Sequence, residues 1–277
     1  MAVKQPLLGQ LSQGSIFSCA RAERYPGCNV SGVVLTARCD LEQDKYNVLN
    51  YAPVVSLTDW LKVDGYEIIL SRAAADLYSR IESALKAIDL PTSILNSQTP
   101  ATILERYIRA PSTDKKLKKA DAKFVELDQR VQQLARWQQG YISSNADMFD
   151  HCDALVRNAI KELIHHKLNG YYFLPKLEPD SVETGFVALL REVNHLPRHL
   201  ARLIAGGLEA TNSELSQHPE WRTYVDLTLS DFVMPIGEIT SPKVEHLLQT
   251  FSHLFGRIGL PDPDKSKVEA LCGVRPK

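Results

Sequence analysis

A chain of 277 residues is long enough for two domains, or for one elaborated domain, and can bury a core without disulfides or metal. Its 32 basic and 33 acidic side chains leave a net charge of −1, which excludes a general electrostatic attraction to nucleic acid or membrane and leaves room only for a local patch. With 44% hydrophobic and 23% charged residues the composition is that of an ordinary soluble globular protein, and no run reaches the roughly 18 apolar residues of a spanning helix.

The opening stretch, MAVKQPLLGQLSQGSIFS, has no sustained apolar segment, so no signal peptide is expected. Five cysteines in so large a chain do not resemble a secreted disulfide scaffold, which points to the cytoplasm and reduced thiols. From Gln13 to about Gly65 the pattern is β. Gly14 to Cys19 is a short strand, Pro26-Gly27 marks a turn, and Val30 to Cys39 is rich in β-branched residues. Val48 to Leu57 is a third strand broken by Pro53, which predicts an edge or a bulge there. Short strands around tight loops predict a small SH3-like β-barrel over residues 1–65.

The period then changes. Leu70, Ala74, Leu77, Ile81, Leu85 and Ile88 form one helical stripe that Pro91 ends. Thr99-Pro100 offers a hydroxyl cap and a proline at the first helical position for a second helix, which stops before Pro111. Between Asp114 and Gln139, Leu117, Ala120, Phe124, Leu127, Val131 and Leu134 alternate steps of three and four, a narrow coiled-coil-like seam. A further helix, Asn145 to Lys167, carries Met148, Cys152, Leu155, Ala159 and Leu163, and Gly140 permits the reversal. These segments predict an antiparallel helical arm over residues 66–168.

Residues 169–277 read as a mixed α/β unit, which makes the fold class α+β. Tyr171 to Leu174 and Gly185 to Val193 are expected strands. A helix from Pro197 to Ala205 stops at Gly206-Gly207, and Trp221 to Val233 is mostly strand-like. Ser241-Pro242 starts a closing helix that carries Val244, Leu247, Leu248, Phe251, Leu254 and Ile258, with Ser241 as its expected cap.

Several groups could carry chemistry. Cys39 and Asp40 are adjacent, so on a strand they point to opposite faces and cannot serve one pocket. Cys39 is expected in the core beside Val33 and Leu35, with Asp40 capping the next turn. Cys19, Cys28 and Cys39, spaced nine and eleven apart, are an alternative metal set that His151 or Cys152 would complete, although structural zinc sites use closer pairs. His165 and His166 end a helix, where cations meet its dipole favourably. Glu192 lies near His195 and His199 with no nucleophile beside it. His246, Gln249, His253 and Arg257 form one polar stripe on the closing helix, opposite the leucines, that could hold an anion or a partner. The lysines at 115, 116, 118, 119 and 123 are offset by nearby carboxylates and lack interleaved aromatics for stacking bases. Phosphate-loop, dinucleotide, GxSxG and HExxH motifs are missing, and no cofactor is expected.

Two stretches carry a resemblance. GVVLTARCDL, following a Gly-x-Ile opening, and SPKVEHLLQTFSHLFGRIGLP resemble a β-barrel strand and a closing helix of uncharacterised bacterial proteins encoded beside phage-defence genes. The first segment is also similar to the toxin ribonucleases of the MazF/PemK type. Gly14-Ser15-Ile16 and Thr36 match that pattern, whereas Ser31-Gly32 stands where it has Arg-Pro, leaving Arg38 as the replacement cation. The lack of a catalytic constellation, with a narrow apolar seam that needs a partner helix in cis or in trans, points to a non-catalytic accessory or regulatory protein, and the first resemblance implies a bacterial, anti-phage defence complex as its setting. Its partner would be a protein encoded nearby, bound through the helical arm or the closing helix. The second implies a ribonuclease or other nucleic-acid processing enzyme with Thr36 and Arg38 at the scissile phosphate.

Overall fold

The computed structural model describes residues 3–7, 9–109, 115–139 and 145–256. The chain opens with β1 (Val3–Lys4), β2 (Ser15–Phe17) and β3 (Ser31–Val34), then α1 (Arg38–Glu42) and the long β4 (Val48–Ser56). Ser56 accepts the Asp59 N–H and starts α2 (Leu57–Trp60). This helix runs on through a π-turn at Leu61–Gly65 into α3 (Tyr66–Ala87). The helical segment continues with α4 (Pro100–Ile103), α5 (Lys115–Gln139), α6 (Asn145–His151) and α7 (Asp153–Ile164). Then come β5 (Tyr171–Leu174), β6 (Phe186–Leu189), β7 (Asn194–Pro197), α8 (Arg198–Gly206), β8 (Leu208–Glu209), α9 (Asn212–Gln217), α10 (Trp221–Tyr224), β9 (Phe232–Val233), β10 (Pro235–Ile239) and α11 (Lys243–Phe255). Among the described residues no helix is long and apolar enough to cross a membrane.

The α+β class holds, with an antiparallel half-barrel sheet. Its strand order is β1-β10-β2-β3-β4-β6-β5, with β7 also on β4. Strands from residues 3–56 therefore share one sheet with strands from residues 171–239, and β10 is inserted between β1 and β2: Val3 lies opposite Ile239, and Phe17 opposite Pro235. β4 is the junction. One edge pairs with β3, and the other pairs first with β7 through Val48–Tyr51 and then with β6 through Val54–Ser56. Pro53, expected at an edge or bulge, lies in a central strand, in the gap where β4 changes partner and no ladder donor is required on that side.

Successive strand residues face opposite sides, and here both sides are covered. Phe17, Val34, Tyr51, Val55 and Val187 join Trp60 and the α8 residues Leu200 and Ile204 in one core. Ile16, Val33, Ala52, Val54 and Ala188 join Tyr172, Val244 and Leu247 in a second. That two-sided burial explains why the strands read as continuous apolar runs. A third core belongs to the helices, where Phe124, Leu127 and Leu134 of α5 meet Leu77, Ile81 and Leu85 of α3. The narrow α5 seam thus finds a partner helix within the same chain.

Several local expectations are corrected. β3 ends at Val34 instead of Cys39, because the Leu35 and Thr36 N–H groups both turn to the Asn50 carbonyl (2.8 and 3.4 Å) and the Thr36 hydroxyl accepts the Asn50 N–H (2.7 Å). Residues Arg38–Glu42 are helical, so Cys39 is exposed on α1 and not a core thiol. β6 is shorter than expected, and the chain turns at Leu190 to return as β7. Residues 221–233 are not mostly strand: Val225 N–H closes a helical turn on the Trp221 carbonyl, and Asp226 holds a side-chain turn with Thr228 (3.0 Å to its N–H). Ser241 does not cap α11. The Thr240 carbonyl receives the Lys243 and Val244 N–H groups instead, and Pro242 precedes the helix across a cis peptide. Thr99 and Gly207 behave as expected. Thr99 caps α4 ahead of Pro100, and Gly207 ends α8 in the left-handed region at φ 86°.

The first core leaves no room for a side chain at Gly32. Phe17 and Tyr51 meet edge to face, 5.0 Å between centroids, and a Cβ on residue 32 would lie 2.5 Å from the Phe17 ring and 2.9 Å from Tyr51. Gly32→Ala should lower stability by about 1–3 kcal/mol through overpacking. Gly206→Ala, whose Cβ would meet nothing within 4 Å, should be neutral or mildly stabilising. Urea denaturation of the two variants checks this; equal effects would mean that the rings above Gly32 move freely.

Candidate functional site

The residues singled out in the sequence end in different places. Thr36 is committed to the β4 backbone, and Arg38 is exposed at the start of α1, so the two do not share a strand face. Cys19 and Cys28 line a cavity of about 60 Å³, whereas Cys39 is exposed on α1. Burial pushes the Cys19 and Cys28 thiols up, so both stay protonated at neutral pH, and the Cys19 thiol donates to the Phe232 carbonyl (3.6 Å). Among the described residues no three His, Cys, Asp or Glu side chains are grouped to hold a metal ion.

The closing-helix stripe is divided. His246 is drawn to one side, where the Tyr172 hydroxyl meets its Nδ1 (3.2 Å) and also donates to the Lys243 carbonyl (3.2 Å). His166 stacks on Tyr172 with centroids 4.1 Å apart and stands edge-on to His246 at 5.0 Å. This aromatic cluster ties the end of α7, β5 and α11 together. His246, Gln249 and His253 are all exposed, and Arg257 lies outside the described residues.

Two concave surfaces are built by residues that single-sequence reading largely missed. The first is a cleft beside the 21–29 loop, with lobes of about 690 and 560 Å³ that share Arg21, Glu23 and Arg222. In the smaller lobe, several polar groups hold the walls together. The Tyr51 hydroxyl accepts the Arg21 N–H and donates to the Tyr224 carbonyl (3.3 Å each), and Asn194 donates to the Arg21 carbonyl (3.0 Å). Glu192 accepts the Glu23 N–H (2.9 Å) and the Asn194 amide (3.0 Å), and the Arg21 guanidinium donates to the Arg222 carbonyl. Burial pushes the Tyr51 hydroxyl up to about 12. Of the predicted Glu192–histidine group, His195 joins this wall, edge-on to Tyr224, and His199 does not. Tyr51, Asn194, Glu192 and Arg21 thereby bind the 21–29 loop to β7 and α10.

The second surface is a groove of about 860 Å³ between α3, α5 and the α6–α7 pair. Leu77, Leu134, Trp137 and Leu155 form its apolar floor. Trp137 is anchored at both ends: its indole N–H donates to Asp147 (2.7 Å), and its carbonyl accepts the Tyr66 hydroxyl (2.8 Å). The rim carries Arg80 paired with Asp76 (2.8 Å), Arg130 paired with Glu126 (3.1 Å), and Arg136. The signal in the sequence was Trp137, which continues the α5 seam three residues beyond Leu134.

The His166 cluster makes a pH prediction. Burial, then His246, Lys243 and His165, lower the His166 imidazole from 6.5 to about 4. Its folded-state pKa lies below its unfolded value, so this stabilisation is complete above pH 6.5 and is lost as pH falls toward 4, by at most about 3 kcal/mol. His166→Asn tolerates the left-handed φ of 54° and cannot take up a proton. Its unfolding free energy should fall less than the parent's between pH 7 and pH 4.5. Parallel pH dependences would remove His166 from this role.

Comparison with protein-family models, with curated proteins and with solved structures finds no match for this chain.

Proposed function

We propose that this chain is a non-catalytic interaction protein, an accessory or regulatory subunit whose protein partner docks on the helical unit. The observation that carries the proposal is the groove between α3, α5 and α7, with its apolar floor, its charged rim and a volume of about 860 Å³. The other cleft supports the same reading, because its Glu192, Tyr51 and Asn194 groups hold its walls together. A net charge of −1 does not favour nucleic acid as the partner. The resemblance to bacterial proteins encoded beside phage-defence genes extends the proposal to such a complex.

The test is co-expression with neighbouring gene products, followed by size-exclusion chromatography with light scattering. Ala154 is exposed on α7 and faces the groove, so Ala154→Trp should fill it and leave the fold intact. The expected outcome is a complex that this variant loses while its melting temperature stays within a degree or two of the parent's. A strictly monomeric protein that binds no neighbour, or a complex indifferent to Ala154→Trp, would count against docking in the groove. Incubation with labelled RNA and DNA, with and without divalent metal, tests the non-catalytic part. Cleavage that disappears in Thr36→Ala and Arg38→Ala would establish the ribonuclease reading instead.

A further inference from the structure

We infer that the groove takes an acidic amphipathic helix; this rests on the groove being the docking surface and adds the chemistry of what docks there. The walls decide the backbone. α3 presents Ala73, Leu77 and Arg80, and α5 presents Arg130, Leu134 and Trp137, each set at positions i, i+4 and i+7 of one helix. α7 adds Ala154 and Leu155. Backbone groups inside these helices are paired within them, so the groove offers an occupant side chains only. A strand laid there would leave N–H and C=O groups unpaired as water is expelled, at about 1–3 kcal/mol each. A helix satisfies its own backbone and presents apolar anchors at i, i+4 and i+7 to the Leu77, Leu134, Trp137 and Leu155 floor.

The rim decides the charge. Asp76 and Glu126, the carboxylates on the groove's edge, are already engaged: Asp76 by Arg80, and Glu126 by Arg130 (3.1 Å) and Lys123 (3.5 Å). Those two cations and the Coulomb field they set up hold the Glu126 carboxyl below the usual range. Arg136 adds a third guanidinium to the rim. Among the charged side chains that line the groove, Arg80, Arg130 and Arg136 outnumber Asp76 and Glu126, within a chain whose net charge is −1. A basic occupant would meet like charge along this wall, and an acidic one would meet opposite charge. The guanidinium groups also favour carboxylates through paired N–H donors.

The probe is a fluorescein-labelled synthetic helix of about 16 residues, with leucine at i, i+4, i+7 and i+11 and glutamate on its flanks. One companion carries lysine for glutamate, and another keeps the acidic composition but has a central proline. Anisotropy titrations with the full chain should show saturable binding of the acidic helix, at least about tenfold tighter than either companion and weaker at higher salt. Arg136→Glu should weaken it about tenfold without changing the melting temperature, and Ala154→Trp should abolish it. If the lysine helix binds as tightly as the acidic one, the charge assignment falls while the groove remains a docking surface. If the proline-broken peptide binds equally well, the helical assignment falls. If none of the three binds, the inference is overturned, and the co-expression experiment decides the docking surface independently.

Discussion

Everything in this molecule hangs on β4. It is the longest strand, and it carries β3 along one edge and β7 and β6 in succession along the other. Its side chains enter both sheet-face cores: Tyr51 and Val55 go to one side, and Ala52 and Val54 to the other. A change at this strand is therefore felt in two cores and three ladders. The proline within it is tolerated because it falls where the second edge is between partners.

From the end of β4 the same continuity passes into the helical unit. Trp60, fully buried, packs edge-to-face on Tyr171 of β5 at 5.4 Å, and α2 runs on into α3 without a break. The intervening π-turn presents Asp64 inward, where it accepts the Tyr25 hydroxyl (2.8 Å) and pairs with Arg24, which also reaches Glu67. Burial and Asp64 push the Tyr25 hydroxyl well up, so it remains a donor at any ordinary pH. A buried carboxylate costs heavily unless it is paired, and here two donors from the 21–29 loop satisfy it. That arrangement clamps the loop to the root of α3. It joins the sheet, whose polar cleft this loop borders, to the helices that make the groove.

The two concave surfaces differ in how their polar atoms are used. In the cleft, Tyr51, Glu192 and Asn194 bond to the backbone of the 21–29 loop across the walls and hold it in place. In the groove, the ion pairs run along single helices at the rim, Arg80 with Asp76 and Arg130 with Glu126, and the floor between them is apolar. Exposed pairs of this kind contribute little to stability, so rearranging them on docking costs little. That contrast is why the functional proposal rests on the groove.

The sequence by itself determined what depends on chemistry within a few residues. The α3 stripe, the Thr99-Pro100 start of α4, the α5 seam and the stop at Gly207 were all legible, because a cap or a helical period is set by neighbours one or two turns away. Short strands were legible as apolar segments but not in extent or partner. Val30 to Cys39 contains the β3 residues, yet only the Asn50 backbone on β4 and the Thr36 hydroxyl that meets it decide where the strand stops and leave Cys39 on a surface helix. The two concave surfaces were out of reach for the same reason. Arg21 meets Arg222, Tyr51 meets Tyr224, and Leu77 meets Leu134 only after the chain has closed long loops. Strand pairing and helix docking are won by complementarity between distant surfaces, and one chain read in order carries no record of which edge or face its own far segment will cover.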